Sequence, residues 1–125
     1  MNFSEMAENV GLTVDEFVEI AHGFVEATQS DLTQLKAAMQ ACLPQQISAT
    51  AHSIKGAALT FGFEGMHAAA LRVEKHARAN ELDAVPEAVD RIETELGVIA
   101  VALRETREFR VEGTTLRPSR NQIRD

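Results

Sequence analysis

His52 is the residue whose type and setting point most directly to chemistry. It lies in Ala51-His52-Ser53-Ile54-Lys55-Gly56, and Gly62 follows at the tenth position after the histidine. At helical spacing, Ile47, Ile54, Ala58 and Phe61 fall on a face about 180–240° away from His52. The residues on its own side are Ser48 and Ala49 one turn earlier, Lys55 and Gly56 one turn later, and Leu59 a further turn on. The imidazole is therefore expected to point away from the core, between small residues and one cation. A neutral imidazole is a nitrogen nucleophile at physiological pH, and the small flanks would let another protein reach it.

Phosphoryl transfer is one chemistry open to such a nucleophile. Its transition state is loose and spreads charge over the phosphoryl oxygens, so positioning and a nearby cation do most of the work. Lys55, one turn along, is expected to place its ammonium beside the phosphoryl group. Gly56 would act by lacking a side chain, because any group there would stand between His52 and an approaching partner. Ser48, Ala49 and Leu59 would complete a low, partly apolar patch on which a partner can rest. A solitary histidine on a helix surface is usually an ordinary surface residue. What sets this one apart is the lysine at +3 together with the glycines at +4 and +10, since a mid-helix glycine such as Gly56 is locally unfavourable and calls for a reason.

The pattern Ala-His-x-(apolar)-Lys-Gly-x-x-x-x-(apolar)-Gly, read from Ala51 to Gly62, resembles the histidine-containing phosphotransfer (HPt) domain of bacterial phosphorelays. Met66, Ala70, Val73 and Glu74 fall where that family has its next helix, ending in an apolar-Glu pair. The likeness spans residues 13 to 107, and the His-to-Gly core is its specific part. It implies that His52 takes a phosphoryl group on Nε2 from one receiver-domain aspartate and passes it to another. The implied partners are response-regulator receiver domains and a hybrid sensor kinase, with Mg²⁺ held by the receiver and no cofactor on this chain. The dimerising histidine domain of sensor kinases usually has an acidic residue directly after its histidine, and here that residue is Ser53. This departure favours a monomeric domain in which one chain supplies all the helices, and puts built-in phosphatase activity in doubt. No ATP-binding apparatus is visible, so the chain is read as a phosphoryl acceptor and donor without kinase activity.

Four long helices and one short one would position these residues. The short helix covers Phe3 to Asn9, with Gly11 as a stop. Thr13-Val14-Asp15-Glu16 has the capping-box pattern and opens a long helix to about Cys42; Ser30-Asp31 within it is a candidate kink. Pro44 suits the first turn of the helix that carries His52 and ends near Gly62. A third long helix covers Glu64 to Ala79, a turn follows at Asn80–Asp83 with Asp83 as candidate cap, and the last helix runs from about Ala84 to Arg107. Its seam is Val85, Val89, Ile92, Leu96, Ile99 and Leu103. These elements make an all-α, antiparallel up-and-down four-helix bundle with a short extra N-terminal helix. The expected division is a bundle domain over 1–109 and a loose basic tail over 110–125.

Composition agrees. The 125 residues are 45 % hydrophobic but only 5 % aromatic, which suits closely packed helices with a core of Ala, Val, Leu and Ile. A formal charge of −7 argues against general nucleic-acid binding. The lone Cys42, the absence of a signal-like N-terminus and the lack of a long apolar run indicate a soluble cytoplasmic protein.

One rival pattern is present. Glu19-x-x-His22 and Glu64-x-x-His67 resemble the paired Glu-x-x-His motifs of di-iron bundles. Such a centre also needs an inward Glu from each of the other two helices, and the segment Pro44 to Gly62 contains no Asp or Glu. No metal site is therefore assigned. His67 is expected at a boundary, while Arg72, Val73, Lys75 and His76 are placed near the level of His52. A third reading is a module that binds a receiver and performs no chemistry.

Overall fold

The capping box forms as the residue types require: Thr13 Oγ1 accepts from the Glu16 amide at 3.1 Å, and Glu16 Oε1 accepts from the Thr13 amide at 2.9 Å. From there the chain is helical without interruption over Val14–Gln40, so Ser30-Asp31 does not break it. In the computed structural model, which describes residues 1–115 and side chains as far as Thr106, the elements are α1 (Phe3–Asn9), α2 (Val14–Gln40), α3 (Pro44–Phe61), α4 (Glu64–Arg78), a 3₁₀ turn (Leu82–Ala84) and α5 (Val85–Thr115). There is no strand among the described residues. None of these helices is long and apolar enough to cross a membrane.

Two boundaries differ from the sequence expectation. Asp83 lies inside the 3₁₀ turn and does not cap the last helix. That helix also continues beyond Arg107 to Thr115, because once a packed seam has nucleated a helix each further residue adds one hydrogen bond. Residues 116–125, the remainder of the expected tail, lie outside the described residues.

The turns share one device. Gly11, Cys42, Gly62 and Asn80 all adopt positive φ, at 75°, 53°, 81° and 59°. In each case the next amide bonds a carbonyl five residues back: Leu12 to Ala7, Leu43 to Ala38, Phe63 to Ala58 and Glu81 to His76. This is the Schellman closure, which satisfies carbonyls left open at a helix end. Gly62 meets the requirement without strain, whereas Cys42 carries a Cβ into left-handed backbone.

Packing follows a ring. α3 lies most extensively against α4, α4 against α5, and α2 against both α3 and α5, while α1 covers part of α2. The seam of α5 is buried along its described length, from Val85 at 1 % exposure to Leu103 at 0 %. The core is less uniform than composition implies. Five of the six phenylalanines (Phe3, Phe17, Phe24, Phe61 and Phe63) gather at one end, with ring centroids 5.1–6.4 Å apart. Away from that end, α3 and α4 bury small residues, including Ala51, Ala58, Ala70 and Ala77. Small contact residues let two helices approach closely, and this brings side chains at the α3–α4 boundary within bonding distance.

Replacing Cys42 by glycine removes the left-handed strain at its turn. Cys42→Gly is expected to stabilise the protein by about 1 kcal/mol, read as a higher midpoint in a chemical or thermal melt. An unchanged or lower midpoint would contradict the strain assignment.

Candidate functional site

α3 turns Ile47, Ala51, Ile54 and Ala58 into the core, each no more than 1 % exposed. The opposite face therefore meets solvent, and the His52 side chain is 64 % exposed there. The outward imidazole read from the periodicity is present. Its surroundings are richer than the sequence reading gave.

Glu74 on α4 is the residue that reading left without a role. Its side chain is 2 % exposed, and its carboxylate takes three partners. Oε1 accepts from Lys55 Nζ at 2.7 Å, while Oε2 lies 2.8 Å from His52 Nδ1 and 2.9 Å from Arg78 Nη2. A buried carboxylate without partners would take up a proton; here the hydrogen bond from Lys55 holds its pKa below the ordinary range against the opposing effect of burial, with His52 and Arg78 adding to the shift.

The carboxylate also decides the tautomer of His52. An ionised carboxylate only accepts hydrogen bonds, so the nitrogen 2.8 Å from it must carry the proton. In the neutral ring the lone pair then resides on Nε2, on the far side of the ring from Glu74. The arrangement presents an oriented nitrogen nucleophile to solvent while the carboxylate behind it stabilises positive charge on the ring.

The other expected site residues divide. Lys55 sits one turn from His52 as anticipated, but its ammonium is anchored on Glu74 and its side chain is only 22 % exposed. Gly56 is exposed, and a Cβ built there would meet nothing within 4 Å. Internal packing thus gives no reason for a glycine at that position. Ser48 and Ala49 line a cleft of about 650 Å³ together with Pro44, Gln45, His52, Ala77, Arg78 and Asn80. Leu59 lies outside that cleft and is 66 % exposed. Gly62 closes α3 with left-handed backbone.

Of the α4 residues placed by count near His52, Arg72 instead bonds Glu87 at 3.0 Å and His76 bonds Glu81 at 2.9 Å. Lys75 is exposed. The position that does reach His52 is Glu74, with Arg78 bonded to the same carboxylate, a shift of one helical face that counting residues between turns does not resolve. A signal for Glu74 did exist: it is an acid at the margin of the Met66–Ala70–Val73–Ala77 stripe, with a base four residues later. His22 and His67 are half-buried, Glu19 and Glu64 are exposed, and no three His, Cys, Asp or Glu side chains gather into a metal-binding group among the described residues. His22 Nε2 is buried without a hydrogen-bond partner.

The Hpt domain family model matches residues 19–102, which contain His52, Lys55, Gly56 and Glu74. The chain belongs to the Hpt domain family. Among solved structures it is similar to histidine-containing phosphotransfer protein B (HptB) from Pseudomonas aeruginosa PAO1. That match has 27 % identity and a TM-score of 0.75, over 82 % of this chain and 90 % of the other. No curated protein matches the sequence. Within this Hpt domain, the outward histidine of α3 and the buried acid of α4 form one bonded unit.

Replacing Glu74 tests that unit. The stability supplied by a carboxylate with a depressed folded pKa is fully present above its ordinary value of 4.5, and is lost as pH falls through the lower folded value. Glu74→Gln is therefore expected to destabilise this Hpt domain by roughly 1–3 kcal/mol at neutral pH. The gap to wild type should close in acid below pH 4.5, as read from melts across pH. A gap independent of pH would show that the ionised carboxylate is not the stabilising form.

Proposed function

We propose that this Hpt domain relays a phosphoryl group between receiver-domain aspartates through phosphohistidine at His52 Nε2. The observation that carries the reading is the bond from His52 Nδ1 to buried Glu74 on an otherwise exposed ring. Nε2 attacks the phosphorus of an aspartyl phosphate; the N–P bond forms as the P–O bond to the aspartate breaks, and the aspartate leaves as carboxylate. The proton stays on Nδ1, so the phosphorylated ring becomes cationic and Glu74 stabilises it. The return step reverses these bonds toward a second aspartate. Mg²⁺ on the receiver would neutralise the phosphoryl oxygens and the leaving carboxylate, and this chain would supply the oriented nucleophile and its cationic surroundings.

The docking surface in this reading runs along α3 from the cleft at Ser48 and Ala49, past His52 and Gly56, to Leu59. Lys55 contributes positive potential and holds Glu74. The reading carries with it the up-and-down antiparallel course of the four long helices, a monomeric chain in the cytoplasm, and receiver domains or a hybrid sensor kinase as partners.

Incubation with a phosphorylated receiver domain is expected to place acid-labile, base-stable label on the wild-type chain and none on His52→Gln. That variant should keep its helical signal and lie within about 1 kcal/mol of wild type, because the side chain is outside the core. Receiver binding without label on the wild type would leave a binding module. Gly56→Gln is expected to slow transfer from a receiver at least tenfold while making the helix about 0.5 kcal/mol more stable; an unchanged transfer rate would remove the access argument for that glycine.

A further inference from the structure

Glu74 Oε2 is shared by two groups, His52 Nδ1 at 2.8 Å and Arg78 Nη2 at 2.9 Å. Arg78 is 67 % exposed at its side chain, and it lines the same cleft as His52. Lys55, the cation expected to meet the phosphoryl group, is held on the other oxygen and is 22 % exposed. We propose that Arg78 is the cation that contacts the phosphoryl group on His52, passing from Glu74 Oε2 to the phosphoryl oxygens as the N–P bond forms. This rests on the phosphoacceptor reading of His52.

The chemistry favours the exchange. A guanidinium carries five N–H donors in a planar fork that matches two phosphoryl oxygens at once. Phosphorylation makes the ring cationic, which strengthens the hold of Nδ1–H on Oε2, and it adds negative charge to His52, which lines the same cleft as Arg78. The guanidinium gives up one hydrogen bond to Glu74 and gains bonds to the phosphoryl oxygens. No proton moves in the exchange. Arg72 is committed to Glu87, and neither Arg72 nor Lys75 lines the cleft.

The test uses the full chain with potassium phosphoramidate as donor, so that no receiver supplies cations; ammonia is the leaving group. The expected result for Arg78→Gln is a roughly tenfold slower uptake at His52. The ³¹P resonance of its phosphohistidine should titrate at higher pH than in wild type, because an adjacent cation favours the dianion. Arg78→Lys should recover part of both effects, and Arg72→Gln should match wild type. An Arg78→Gln variant with wild-type uptake and an unshifted titration overturns the proposal and leaves the phosphoacceptor reading standing. Slower uptake with an unshifted titration, accompanied by loss of the Nδ1–H tautomer in ¹⁵N spectra, would make Arg78 a positioning residue acting through Glu74, and also overturns the proposal. A wild-type chain that takes no label overturns both readings.

Discussion

A carboxylate cannot remain ionised inside a protein unless donors replace the water it has lost. Glu74 meets that condition with donors from two helices: His52 and Lys55 on α3, and Arg78 on α4 itself. One buried charge thereby cross-links the most extensive helix pair of the fold and sets the tautomer of the exposed imidazole. Charge-assisted hydrogen bonds are short and directional, so the ring is held by more than its own rotamer preference. The imidazole stands at the surface, and the carboxylate bonded to it is buried beneath it.

The rest of the molecule divides between holding that contact and leaving it accessible. The phenylalanine cluster locks α1, α2 and the α3–α4 turn together at one end. Along α3 and α4, alanines take over the buried positions, and small residues permit the close approach that lets Glu74 reach across. On the solvent side, α3 carries Lys55 as its single charged residue in a chain of net charge −7. The face around His52 is thus free of α3 carboxylates, and the charge of Glu74 is offset by Lys55 and Arg78, which are bonded to it.

Much of this was legible in the residues, and the limits have physical causes. Helix starts and stops are local: Thr13 and Glu16 form a capping box, Pro44 suits a first turn, and Gly62 suits a left-handed end. Those signals need only neighbours within a few residues. The start of α5 lies within one residue of the expected Ala84, but Asp83, which has the residue type of a cap, sits in a 3₁₀ turn before the helix begins. An aromatic content of 5 % suits a core of Ala, Val, Leu and Ile, but such an average cannot show that the rings are concentrated at one end.

Periodicity alone determined that His52 faces solvent, because a helix has only one face to turn inward and α3 fills it with Ile47, Ala51, Ile54 and Ala58. It also determined that lysine and glycine lie one turn away. Only the tertiary structure decided what stands behind the ring, since the rotation and height of α4 against α3 depend on packing across the whole pair. An error of one residue in that register exchanges Glu74 for Lys75, or Arg78 for Ala77. For that reason the acid that orients the histidine, and the arginine beside it, emerged from the fold.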